Sequence, residues 1–92
     1  MNRKRAKELG LRVERSKKAG KKWDAYDAAT GEFQASFGAQ GYKDYAIFLR
    51  EDGKAEADKR RAAYKARHAK DRAVRKRDGK FTAGYLADQL LW

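Results

Sequence analysis

The sequence predicts a small α+β protein: a β-hairpin, a long basic helix and a short C-terminal helix, extended and stabilised by a partner. Three observations predict it. Apolar and polar residues alternate with period two on either side of Asp27-Ala28-Ala29-Thr30-Gly31. The stretch Ala55 to Arg77 is free of Pro and Gly and rich in helix formers. Charged residues make up 40% of the chain, and large apolar residues cluster only between Trp23 and Leu49 and after Phe81. With 92 residues there is one domain at most. A domain of this size buries only about 60% of its unfolded surface, so so few apolar groups imply borrowed stability.

Residues 1–20 read as a basic N-terminal arm and residues 21–92 as a hairpin–helix module. In the arm, Ala6, Leu9 and Val13 at helical spacing predict a helix over 3–18. Gly10 weakens it by about 1 kcal/mol relative to Ala, and Ala19-Gly20 stops it. From Lys21, Trp23, Ala25 and Asp27 share one strand face, and Phe33, Ala35 and Phe37 share a face of the returning strand. Asp27 can accept from turn amides while Gly31 starts the return. A lone hairpin is marginal in water and needs a lid.

That lid is expected from the joint Phe37-Gly38-Ala39-Gln40-Gly41-Tyr42-Lys43-Asp44-Tyr45, where glycines allow a sharp turn and three aromatics can pin it. Gly-x-x-Gly loops that clamp nucleic acid join two helices, whereas a strand precedes this one. Ala46-Ile47-Phe48-Leu49 fits a strand or a helix start, and Asp52-Gly53 ends it. In the helix expected over 55–77, Ala55, Ala62, Ala66, Ala69 and Ala73 form a narrow stripe suited to close approach. Tyr64 and His68 lie one turn apart beside it. So little apolar surface leaves this helix exposed or laid along a partner. Asp78-Gly79 ends it. Thr82 then caps a last helix, with Phe81 and Leu86 as a staple. Tyr85, Leu86, Leu90 and Trp92 fall on one arc of that helix, an apolar tail expected to dock on a partner.

The residue inventory excludes most chemistry. Without Cys there are no disulfides, thiolate metal sites or cysteine nucleophiles. His68 is the only His, and the acids are scattered rather than paired. No phosphate-binding Gly loop occurs, so no catalytic residue, metal or cofactor is expected. No apolar run approaches the roughly 18 residues of a membrane span, and Met1-Asn2-Arg3-Lys4-Arg5 does not read as a secretory signal. What remains is binding. Net charge is +11, distributed as +8 over residues 1–22, −4 over 23–53 and +7 over 54–92. Basic arms around an acidic centre suit nucleic acid, and equally suit a small clamp between acidic proteins.

Three motifs in register carry a resemblance. They are the joint Phe37–Tyr45, the helical run Arg60-Arg61-Ala62-Ala63-Tyr64-Lys65-Ala66-Arg67-His68, and Thr82-Ala83-Gly84-Tyr85-Leu86 leading to Leu90-Leu91-Trp92. In this order, across roughly Lys21 to Trp92, the chain resembles a family of short basic proteins of large icosahedral DNA viruses of algae and amoebae. The resemblance implies a non-enzymatic minor capsid protein that bridges the major capsid protein and other minor capsid proteins. It would lie in the virion, assembled in the host cytoplasm. The expected partner-binding residues are Trp23, Phe37, Tyr42 and Tyr45, then Arg60, Arg61, Tyr64, Arg67 and His68, then Tyr85, Leu86, Leu90 and Trp92. The alternative is a basic nucleic-acid-binding virion or nuclear protein, with contact through the basic arms.

Overall fold

The computed structural model describes all of residues 1–92. Helix α1 (Arg3–Glu8) starts where the Asn2 side chain accepts the Arg5 amide at 2.9 Å. It stops at Gly10, whose φ of +73° is the left-handed conformation that ends helices. The helix expected over 3–18 is therefore cut short. Beyond the stop, Leu11-Arg12-Val13-Glu14-Arg15 alternates apolar and charged residues and forms strand β1 (Leu11–Arg15), burying Leu11 and Val13. Residues 1–20 are thus part of the folded body and not an appended arm.

Strands β2 (Lys21–Asp27) and β3 (Phe33–Ala39) form the expected hairpin, and β1 adds to its free edge in the antiparallel order β1-β2-β3. Val13, Ala25 and Ala35 are directly opposite across the three strands, as are Arg15, Trp23 and Phe37. At the turn the Asp27 carboxylate accepts the amides of Ala29 at 2.8 Å and Thr30 at 3.0 Å. These bonds, Thr30 first and then Ala29, hold its pKa below the ordinary value. A second carboxylate ties the strands together. Asp24 on β2 accepts the hydroxyls of Ser16 and Ser36, both at 2.6 Å, and so joins the end of β1 to β3.

Helix α5 (Ala83–Leu91) is the lid of this sheet. Its N-cap is Thr82, whose hydroxyl oxygen accepts the Tyr85 amide at 3.2 Å. Together with α1 it covers the sheet face carrying Phe37 and Ala25. Phe37 and Leu86 are fully buried there, and Leu90 nearly so. Close approach depends on Gly38, because a Cβ at that position would lie 2.8 Å from Leu91 Cδ1. Its φ of +79° is also one that L side chains rarely adopt. The apolar tail expected to dock on a partner is instead spent on the chain's own sheet. Of the aromatic joint, only Phe37 contributes to the core.

Between sheet and lid the chain makes a helical excursion. Asp44 caps α2 (Tyr45–Asp52) by accepting the Ile47 amide at 3.2 Å, so Ala46–Leu49 is helix. After Gly53, α3 (Lys54–Arg67) folds back on α2 and buries Ala57 completely. The predicted helix over 55–77 breaks at His68, resumes as α4 (Ala69–Ala73) and then becomes strand β4 (Lys76–Arg77). Strand β5 (Lys80–Phe81) pairs with β4 around Asp78-Gly79, whose φ values of 54° and 78° suit a two-residue hairpin turn. Helix propensity loses here to tertiary bonds. The Thr82 hydroxyl donates to the Val74 carbonyl at 2.6 Å, and the Thr82 amide donates to the Arg75 carbonyl at 3.0 Å. The alanines of the expected stripe all face solvent, and Ala57, outside it, is the buried one.

The result is compact. Its radius of gyration is 13.0 Å, against about 12 Å expected for a folded domain of this length, so the chain is not extended. The third strand and helix α1 supply apolar surface that a two-stranded reading leaves out.

Two outcomes follow from this core. Phe37→Ala should lower unfolding free energy by about 3–5 kcal/mol, read from the urea midpoint at unchanged slope. Asp24 behaves differently with pH. Burial pushes its pKa up, but the hydroxyls of Ser16 and Ser36 and the Lys17 amide outweigh it and leave the value below 3.8. A depressed carboxylate contributes stability that is complete above its unfolded value and is lost as pH falls through the folded one. Wild type should therefore lose stability as pH falls below about 4, with a weaker acid loss in Asp24→Asn.

Candidate functional site

The excursion leans back against the lid through one carboxylate. Asp88 on α5 is fully buried, and Lys65 Nζ reaches it at 3.0 Å and Arg72 Nη1 at 3.4 Å. Lys65 also donates to the Asp88 carbonyl at 3.0 Å, and Gln89 Nε2 donates to its carboxylate at 2.9 Å. Gly84 permits α4 to come this close, since a Cβ there would lie 2.8 Å from Asp71 Cβ.

The same approach opens a groove of about 680 Å³ between the 38–44 turn, α3–α4 and α5. One wall is a continuous aromatic stack. The Trp92 ring lies 4.4 Å from Tyr64 and nearly parallel to it, and Tyr64 lies 4.2 Å from the His68 ring. Phe48 closes on Trp92 at 6.1 Å. Burial first, then the charges of Asp88 and Asp71, push the Tyr64 phenol above its usual 10.0, so it stays protonated at neutral pH. His68 Nδ1 is 2.8 Å from Asp71, which fixes the ring at the end of the stack. At the mouth stands Tyr42, 75% exposed.

Cations rim the groove, but most are already paired. Lys22 bonds Asp44 at 3.1 Å and also donates to the Tyr42 carbonyl, fastening the turn to the sheet. Lys43 pairs with Glu51 at 3.1 Å, and Arg60 pairs with Glu56 at 2.8 Å while lying over Phe48. Lys21 and Arg67 are the groove lysine and arginine without an acid partner.

Of the residues singled out from sequence, Tyr42, Arg60, Tyr64, Arg67, His68 and Trp92 meet in this groove. Phe37, Tyr85, Leu86 and Leu90 are buried core residues, which corrects their reading as partner contacts. They alternate correctly for an apolar face, but the face belongs to the chain's own lid. Trp23 lies elsewhere, half-buried, with the guanidiniums of Arg3 and Arg15 over its ring. Tyr45 and Arg61 stack on each other away from the groove, and the Tyr45 hydroxyl donates to Asp58 at 2.8 Å. Lys22, Asp44 and Asp88 were not singled out. Their partners lie 16 to 23 residues away, and no local spacing announces such pairs.

No group of three His, Cys, Asp or Glu side chains that could hold a metal ion occurs. No helix is long and apolar enough to cross a membrane. No protein-family model, curated protein or solved structure matches the chain.

The clamp on Asp88 should respond asymmetrically. Lys65 and Arg72 are partly exposed and can turn to water if the carboxylate is neutralised, whereas Asp88 cannot. Lys65→Met with Arg72→Met should therefore cost about 3–5 kcal/mol, the range for stranding a buried charge. Asp88→Asn should cost less, about 1–3 kcal/mol, in the same denaturant measurement. Equal costs would show that the buried charge is not what the clamp depends on.

Proposed function

We propose that the chain is a non-enzymatic binding module that seats a segment of a partner protein in this groove, and that it acts as a minor capsid protein. One observation carries the reading. The three stretches behind the viral resemblance are far apart in sequence, yet each supplies a wall of the same groove: Tyr42 and Asp44, Tyr64 and His68, Gly84 and Trp92. A protein segment suits the groove better than a polyphosphate. Its walls are largely apolar, and of its cations only Lys21 and Arg67 lack an acid partner. A side chain entering between Tyr42 and Trp92 would find aromatic surface, and an acid beside it would find Arg67. The expected occupant is an apolar segment flanked by one or two acids on a neighbouring capsid protein.

The test uses disrupted particles treated with nuclease and washed through a salt series. The chain should stay with shell fragments up to about 1 M salt, where the screening length is about 3 Å. Tyr42→Ala with Arg67→Gln should weaken retention at least tenfold, about 1.4 kcal/mol, with the unfolding midpoint unchanged. Both side chains reach solvent, so folding does not depend on them. Release by nuclease or by moderate salt would favour nucleic acid as the partner.

A further inference from the structure

Of the 24 lysines and arginines, nine pair with acids and fifteen do not. On α3 the pairing is local, with Lys54, Arg60 and Arg61 each meeting an acid within a turn. The β4–β5 hairpin is different. Arg75, Lys76, Arg77 and Lys80 form no ion pair, and Asp78 in the turn is the one acid among them. The other nearby carboxylate, Asp27, is already engaged by the amides of Ala29 and Thr30. From Val74 to Lys80 every residue is exposed.

This hairpin is held rigidly. Phe81 is buried in the core, and its amide donates to the Gln34 side chain at 3.1 Å on β3. Arg75 lies over the rings of Phe81 and Tyr85, and Lys76 lies 4.7 Å from the Phe81 centroid. The two-residue turn fixes the tip. Four cations are therefore presented in a set geometry, none in an ion pair, with Asp27 at the end of β2 acting on Lys76 only through space.

We infer that the β4–β5 hairpin is a contact for the phosphate backbone of duplex nucleic acid, a second binding surface distinct from the groove. A duplex carries one negative charge per ~1.7 Å of axis, so a short ribbon can meet several phosphates at once. Single strands are bound by aromatic platforms on which bases stack. The hairpin offers none, because its only aromatic ring is buried beneath its own cations. It carries no Asn or Gln to read adenine, and the contact inferred is with the phosphate backbone, which positions a protein on the duplex without reading its sequence.

The experiment measures binding of the full chain to a short duplex DNA between about 50 and 200 mM salt. Each phosphate contact contributes about −0.9 to the log–log slope, so four give about −3.6. Lys76→Gln with Arg77→Gln and Lys80→Gln should leave a slope of about −0.9. Lys4→Gln with Lys7→Gln and Lys18→Gln removes the same charge from exposed, unpaired positions elsewhere and should leave the slope unchanged. The groove variant Tyr42→Ala with Arg67→Gln should also leave it unchanged, which separates this surface from the proposed partner groove. As a lighter perturbation, Arg77→Glu should weaken binding more than Lys4→Glu does. Equal losses in the two triple variants would overturn the inference in favour of net charge alone. So would binding to phosphatidylserine vesicles with none to duplex DNA.

Discussion

A carboxylate with no access to water decides how the two parts of this molecule meet. Asp88 lies on the inner side of α5, and leaving its charge unpaired there would cost about 3–5 kcal/mol. Lys65 and Arg72 must therefore reach it, which brings α3 and α4 against the lid. Trp92 can stack on Tyr64 only because of that approach, and the groove exists only while it holds. A buried ion pair is a poor source of net stability but a good source of specificity. The aromatic stack alone would tolerate sliding. The ion pairs set the register.

The sheet and lid were legible because their signals are local. Period-two alternation around Asp27–Gly31 marks β2 and β3, and Thr82 after Phe81 marks the start of α5. The break at Gly10 was visible as a weak point, but the thin apolar stripe Ala6–Leu9–Val13 fits a helix as well as it fits α1 followed by β1. Residues 75–77 are strong helix formers, and contacts with Thr82 together with the pairing of β4 to β5 hold them out of a helix. An Asp-Gly pair flanked by residues of poor strand propensity then looks like a helix stop when it is a hairpin turn. Composition misled most about compactness. Counting large apolar residues undervalues Ala25 and Ala57, which are fully buried and let backbones approach.

The site was half legible. Tyr42, Tyr64, Arg67, His68 and Trp92 stood out as unusual in a charged chain, and they do come together. What sequence could not separate was an aromatic that lines a groove from one that fills a core. Phe37 and Trp92 look alike in the chain, yet one is sealed under α5 and the other ends an open stack. Charge is sorted in the same way. Most cations near the groove are matched to acids through folding, while those on the β4–β5 hairpin form no ion pair, giving an apolar surface suited to protein and a separate cationic one suited to a polyanion.

The claim that the groove is a protein-binding site is tested most directly by a photo-crosslinking phenylalanine analogue in place of Tyr42, at its mouth, followed by irradiation of intact particles. The account predicts a covalent adduct with one capsid protein, unaffected by nuclease and absent when the analogue replaces Phe33, an exposed aromatic outside the groove. An adduct with nucleic acid, or the same protein adduct from both positions, would contradict it.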